Sequence, residues 1–179
     1  MRARDKVKTA GEVVEICREA RKKGSLRVVF TNGCFDLLHL GHLRYLEEAR
    51  SRGDLLIVGI NSDASVRGIK GSLRPIQGEG ERAELLAGLQ CVDYVVVFDE
   101  SDPLSLIELI QPDILVKGAD WPADKIIGGD AVLRRGGELV RIPLTPRLST
   151  TSIVERIVER FGNCTLSRTE HVHGEISTK

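Results

Sequence analysis

The chain carries no excess charge of either sign: its 26 basic and 26 acidic residues cancel, and no long block of either appears. A surface that captures nucleic acid or a lipid bilayer by charge is therefore not expected, nor is either partner. There is also no run approaching the ~20 apolar residues that a bilayer-spanning helix requires. The charged start, Met1 to Lys8, leads into no apolar stretch of signal-peptide length, so the expected location is cytoplasmic. Paired cysteines are missing too. Cys17, Cys34, Cys91 and Cys164 lack any C-x-x-C spacing, which suits reduced thiols and supplies no structural zinc site. What the 179 residues do have is 41% hydrophobic composition, enough to fill one full core. One domain over residues 1–162 is expected, followed by a polar, disordered tail at 163–179 in which His171 and His173 are solvated.

Apolar periodicity alternates along this domain. Thr9 to Lys22 reads as an amphipathic helix, with Val13, Val14, Ile16, Cys17 and Ala20 on one side and Gly24 ending it. Strands follow at Arg27–Thr31, Asp54–Ile60, Tyr94–Phe98, Ile114–Val116 and Glu138–Ile142. Helices near Gly41–Arg52, Asp63–Arg67, Glu79–Leu89, Pro103–Ile110 and Asp130–Arg135 separate them. The expected fold is α/β, a doubly wound Rossmann-like parallel sheet of five strands with helices on both faces. In such sheets ligands bind beyond the carboxyl ends of the strands where the winding reverses.

One stretch carries chemistry. Arg27 to His42 runs from a buried strand through Gly33 into a helix that opens with His39 and His42. Gly33 permits a tight turn and close backbone approach, and the helix aims free N–H groups back at that turn. Two histidines three apart could instead bind a metal with Asp36, or pack as hydrogen-bonded residues. Their position after a strand, a glycine turn and an acidic residue favours a phosphate site, and zinc stands second because no further Cys or His cluster is near. Ser149, Thr150 and Thr151 open a late helix, where hydroxyls either cap or bind phosphate. Lys70 and Lys117 each sit beside a glycine in an expected loop, as solvated charges or as phosphate contacts.

Thr31-Asn32-Gly33-Cys34-Phe35-Asp36-Leu37-Leu38-His39-Leu40-Gly41-His42 resembles the signature of the cytidylyltransferase-like nucleotidyltransferases, and its opening is most similar to the heptose 1-phosphate adenylyltransferases of lipopolysaccharide precursor synthesis. Asn61-Ser62-Asp63, Lys70-Gly71, Arg74-Pro75-Ile76, Glu81 to Leu86, Cys91 to Val95, Pro112 to Gly118 and Ser149-Thr150-Thr151 resemble that family in order and spacing, so the likeness spans about residues 9 to 161. The resemblance implies a strand order of 3-2-1-4-5. It further implies catalytic roles for His39, His42 and Lys70. Nucleotide contacts are implied at Thr31, Asn32, Gly33, Cys34, Phe35, Gly41, Lys117, Gly118, Asp120, Ser149, Thr150 and Thr151. Acceptor contacts are implied at Asp36, Asn61, Asp63 and Arg74, with Asp36 alternatively bracing its turn. No protein metal ligand is expected; Mg²⁺ would arrive on the triphosphate of ATP, held by phosphates and water.

The reaction so implied is adenylyl transfer from ATP to D-glycero-β-D-manno-heptose 1-phosphate. A sugar phosphate is already anionic near neutral pH, its second pKa being about 6, so alignment and charge neutralisation suffice. No sugar-kinase half lies in these residues, which implies a separate heptose kinase upstream, and the family often forms dimers or larger assemblies. One alternative is a cytidylyltransferase acting on glycerol 3-phosphate. Those enzymes carry Arg-Thr-Glu-Gly before the Ser-Thr-Thr helix, where this chain has Leu144-Thr145-Pro146-Arg147-Leu148, and an arginine before the Val-Asp pair, where it has Gln90-Cys91. The role of Arg147 is left open. Another alternative is a nucleotide-binding regulatory module without turnover. A class I aminoacyl-tRNA synthetase fragment fails for want of a Lys-Met-Ser-Lys-Ser loop.

Overall fold

The computed structural model describes residues 1–22, 24 and 26–162. Lys23, Ser25 and residues 163–179, with the expected tail and its two histidines, lie outside the described residues. Six strands, β1 (Val7–Lys8), β2 (Val28–Gly33), β3 (Leu55–Asn61), β4 (Tyr94–Phe98), β5 (Ile114–Gly118) and β6 (Glu138–Ile142), form one sheet in the order β1-β4-β3-β2-β5-β6. Every pairing is parallel. Seven α-helices connect them: α1 (Ala10–Lys22), α2 (Leu40–Arg50), α3 (Asp63–Lys70), α4 (Glu79–Ala87), α5 (Leu104–Ile110), α6 (Gly129–Arg134) and α7 (Thr150–Phe161).

Strand residues alternate between two cores because successive side chains point to opposite faces. Val29, Leu56, Val58, Val95, Ile114 and Val116 pack with α2 and α4 on one face. Val28, Phe30, Ile57, Val96 and Leu115 pack with α1, α5 and α6 on the other. Burial on both sides is why these strands read as continuous β-branched runs. Gly59 in β3 follows from the same packing. A Cβ there would lie 2.9 Å from the Phe30 Cζ atom, so the aromatic ring occupies the space a side chain would need.

The expected five strands appear in the expected order as β4-β3-β2-β5-β6, and the doubly wound parallel sheet stands. The sheet has a sixth strand, which corrects the count. Val7–Lys8 pairs with Val95–Val96 of β4 at the edge, and two residues are too few to leave a period-two pattern. Two other boundaries differ. The third helix runs on to Lys70, so that lysine is the last helical residue and not a loop residue, with Gly71 at φ 93 turning the chain away. Likewise β5 continues through Lys117 and Gly118, which pair with Arg141 and Ile142. No helix among the described residues is long and apolar enough to cross a membrane.

Candidate active site

The winding reverses between β2 and β5, where β2 pairs with β3 on one side and β5 on the other. A cleft of about 660 Å³ opens at the carboxyl ends of these strands, the place where an open parallel sheet leaves room for a ligand. The turn after β2 and the start of α2 form its middle. The ends of β3 and α3 with the loop after β4 make one wall, and the end of β5 with the segment leading into α7 makes the other.

The middle is built around the two histidines. His39 caps α2: its backbone is extended, and its Nδ1 accepts a hydrogen bond from the His42 N–H at 3.3 Å. That cap turns the two imidazoles face to face, with ring centroids 3.7 Å apart and 17° between planes. Phe35, held at φ 45 in the left-handed region, meets the His42 ring edge-on, with centroids 5.0 Å apart. Holding a phenylalanine in that conformation costs energy, and what it gains here is a buttress for the ring. Gly41 is fixed by the same crowding. A Cβ on it would sit 3.0 Å from the His39 Nδ1 and 3.3 Å from the Leu148 Cβ, so glycine lets the segment before α7 close on the pair.

Burial sets the charge of these rings. It pushes the pKa of His42 down to about 4, with His39 as a further lowering influence, and it lowers His39 as well. Both are neutral donors or acceptors near pH 7, as stacked rings should be. The buried His42 Nδ1 has no hydrogen-bond partner among the described residues.

Asp36 and Arg82 lock the turn to the neighbouring wall. Asp36 accepts from Arg74 Nη1 at 2.7 Å and from the backbone N–H groups of Ile76 and Gln77 at 2.7 and 3.1 Å. Burial raises its pKa, and these donors more than offset that, holding the carboxyl below its usual range. Arg82 is fully buried. It donates to the carbonyls of Gln77, Cys34 and Asn61 and to Asp63 Oδ1 at 2.7 Å, so one guanidinium ties together the β2 turn, the end of β3 and the start of α4. Lys117 reaches Asn32 Oδ1 across the sheet. Burial lowers its pKa to about 8, opposed by Asp120.

Most residues expected at the site line this cleft: Asn32 to Asp36, His39, Gly41, His42, Asn61, Lys70, Arg74, Lys117, Gly118, Asp120 and Ser149 to Thr151. Two do not. Thr31 is wholly buried, bonded through its hydroxyl to Tyr45 at 2.7 Å, and Asp63 is taken up by Arg82. Sequence reasoning missed Ser101, Asp102 and Pro103 after β4, Ile126 after β5, and Leu144 before α7. Their loops carry no spacing signal; only position after a strand could have marked them. Ser149 caps α7 through a reciprocal pair with Ser152, N–H to Oγ at 3.0 and 3.1 Å. Thr150 and Thr151, the first two residues of the helix so capped, line the cleft beside it.

A profile of the cytidylyltransferase-like family matches residues 30–156, which contain this cleft. Bifunctional protein HldE of Syntrophotalea carbinolica is 51% identical over 156 residues, covering 87% of this chain and 32% of that protein. The HldE of Geobacter sulfurreducens is 53% identical over 143 residues, covering 80% and 29%. The chain spans about a third of the length of these curated relatives. Among solved structures, the lipopolysaccharide core biosynthesis protein from Thermoplasma volcanium superimposes with a TM-score of 0.58 at 31% identity, over 68% of this chain and 99% of its own. On the extent of the profile match and the level of these identities, the chain belongs to the cytidylyltransferase-like family of nucleotidyltransferases.

Proposed function

We propose that residues 1–162 form one catalytic domain that transfers the adenylyl group of ATP to D-glycero-β-D-manno-heptose 1-phosphate, forming ADP-heptose and releasing pyrophosphate. The observation that carries this reading is the paired His39–His42 turn at the switch point, in a chain about half identical to HldE proteins over most of its length. The structural neighbour, a lipopolysaccharide core biosynthesis protein, points to the same area of metabolism. Heptose and adenine come from the likeness of the Thr31–His42 signature to heptose 1-phosphate adenylyltransferases.

In the proposed reaction an oxygen of the acceptor phosphate attacks the α-phosphorus, and the bond to the bridging oxygen of the β-phosphate breaks. No general base is needed, because the acceptor is already an anion. His39 and His42, as neutral imidazoles at the middle of the cleft, stabilise the α-phosphoryl oxygens. Thr150, Thr151 and the N–H groups opening α7 receive the triphosphate, as helix N-termini do. Lys70 and Lys117 supply positive charge, and Asn32 to Phe35 with Gly118 bring backbone close to the nucleotide. Among the described residues no three His, Cys, Asp or Glu side chains converge on a metal site. A divalent ion, Mg²⁺ in this proposal, would be held by triphosphate oxygens, with Asp120 the carboxylate on that wall; it supplies neutralisation of the departing pyrophosphate.

The acceptor implies an upstream sugar kinase acting to make the 1-phosphate, and ATP as co-substrate implies a cytoplasmic setting. A homodimer is the proposed assembly. The test is pyrophosphate release with Mg²⁺, pairing ATP or CTP with heptose 1-phosphate or glycerol 3-phosphate. Turnover with ATP and heptose 1-phosphate alone is expected; turnover only with CTP and glycerol 3-phosphate would overturn the substrate assignment.

A further inference from the structure

The wall opposite α7 contains carboxylates, and nearly all are committed. Asp36 is saturated by Arg74, Ile76 and Gln77, and Asp63 is held by Arg82 away from the cleft. Asp102 differs. Its Oδ1 accepts the Leu104 N–H at 2.9 Å, which fixes the carboxylate at the head of α5. It makes no other hydrogen bond or ion pair among the described residues, and it lines the cleft with Ser101 and Pro103.

The loop that carries Asp102 is held from beneath by a buried polar network. Asn61 Nδ2 donates to Ser65 Oγ at 3.0 Å, and Ser65 Oγ donates to the Glu100 carbonyl at 2.7 Å. The Ser62 N–H reaches the Phe98 carbonyl at 2.8 Å. Asn61 and Ser65 are 4% and 7% exposed. Burying an amide and a hydroxyl beneath a loop is costly unless every group is paired. Here that expense fixes one loop against the ends of β3 and α3.

We propose that Asp102 is the specificity-determining residue of an acceptor subsite, accepting hydrogen bonds from the hydroxyls of a polyol phosphate; this rests on the nucleotidyl-transfer reading above. Chemistry divides the cleft accordingly. In-line displacement puts the attacking oxygen opposite the departing pyrophosphate, so with the triphosphate at α7 the acceptor approaches from the β3–β4 wall. On that wall Lys70 and Arg74 meet its phosphate. Beyond them a fixed carboxylate is the group that reads paired hydroxyls, being an acceptor with two oxygens. An acceptor without neighbouring hydroxyls gains nothing from Asp102.

The test compares the full-length protein with Asp102→Ser, which keeps an oxygen to cap Leu104, and with Asp102→Ala. Calorimetric titration with heptose 1-phosphate, ATP and inorganic phosphate reads binding; steady-state pyrophosphate release reads turnover. The expected result is a Kd and KM for heptose 1-phosphate raised about tenfold or more in both variants, the loss of a charge-assisted hydrogen bond. Affinity for ATP and for inorganic phosphate stays within about twofold of wild type, because neither uses the subsite. Unchanged heptose phosphate affinity in Asp102→Ser overturns the proposal, and so does an equal loss for all three ligands. Wild-type protein that binds ATP and inorganic phosphate but not heptose 1-phosphate also overturns it. Binding with the expected selective loss, in a protein that releases no pyrophosphate, defeats the adenylyl-transfer reading and leaves the subsite standing.

Discussion

The two walls of the cleft are held by different means. On the β3–β4 side, buried Arg82, Asp36, Asn61 and Ser65 fasten three loops through side-chain hydrogen bonds to backbone. On the α7 side no buried side chain makes such a lock among the described residues: α7 has no buried residue, and Ile157 and Phe161 are 50% and 53% exposed. Its start is organised chiefly by the Ser149–Ser152 cap and by Leu148 passing over Gly41. The first wall fixes geometry, whereas the second has few buried contacts and belongs to the low-stability end of the molecule. In the proposed reaction the first wall aligns the acceptor, and the second receives the nucleotide.

The strongest way to break that contrast is to cut the lock. Arg82→Met leaves Asp63 and the carbonyls of Cys34, Asn61 and Gln77 without their donor. Removing one partner of a buried, hydrogen-bonded charge pair costs about 3–5 kcal/mol. Denaturant unfolding should show that loss as a lower midpoint. On the opposite wall, Ile157→Ser should move the midpoint by about 0.5 kcal/mol or less, as surface changes do. Equal effects at the two positions would remove the distinction between the walls.

Next in size is the pair that both walls face. His39→Ala or His42→Ala should lower kcat about a hundredfold or more, the usual cost of losing a transition-state donor, while circular dichroism shows the fold retained. His42 also makes a pH prediction. Its pKa is held near 4 in the folded protein, below the ordinary 6.5. Between those values the unfolded chain binds more protons than the native one, so stability falls as pH drops through that window. Melting temperatures from pH 7 to 4 should decline less steeply in His42→Ala than in wild type.

A smaller effect separates the nucleotide wall. The Lys117 ammonium, with a pKa near 8, loses its charge above that pH in the free protein, and an anionic ligand favours the charged form. The KM for ATP should therefore rise severalfold, on the order of tenfold per pH unit at the limit, as pH passes from 8 to 9. In Lys117→Met it should be high throughout and flat. The KM for the acceptor should not follow this titration, since Lys117 lies on the other wall.

The same contrast explains what could be read from the chain. Val28–Phe30, Leu55–Ile60 and Tyr94–Phe98 are largely buried on both faces, so composition alone marks them as parallel strands, while their order about the switch point comes from the family resemblance. The histidine turn was legible because Gly33, Gly41, His39 and His42 sit at fixed spacing on one local element. The lock was legible only in part: Asp36 reads as a possible brace of its turn, while Arg82 falls in the family-like Glu81–Leu86 segment without a readable role, and only tertiary packing puts its guanidinium against the carbonyls of distant Cys34 and Asn61. From sequence Lys70 and Lys117 read as loop residues because adjacent Gly71 and Gly118 look like breakers. In the fold Gly71 follows the last helical residue, and Gly118 completes a strand. Asp102 had no motif at all, since a loop after a strand becomes part of a site only when the sheet brings its neighbours alongside.

The mildest perturbation sharpens the contrast most cleanly. Ser149→Ala removes one acceptor from a reciprocal pair, and losing an N-cap costs about 1 kcal/mol. Were α7 an integral part of the core, that loss would appear in the global unfolding midpoint. Because the helix buries no residue, the loss should fall on local opening instead. Amide exchange in the first turn of α7 should quicken about fivefold, the equivalent of that energy, with little change in β2 and β3. The KM for ATP should rise by a similar factor, because the nucleotide must then order the turn that receives it, while the KM for the sugar phosphate stays put. A drop in the global midpoint, or a matching rise for the acceptor, would show that α7 and the locked wall act as one body.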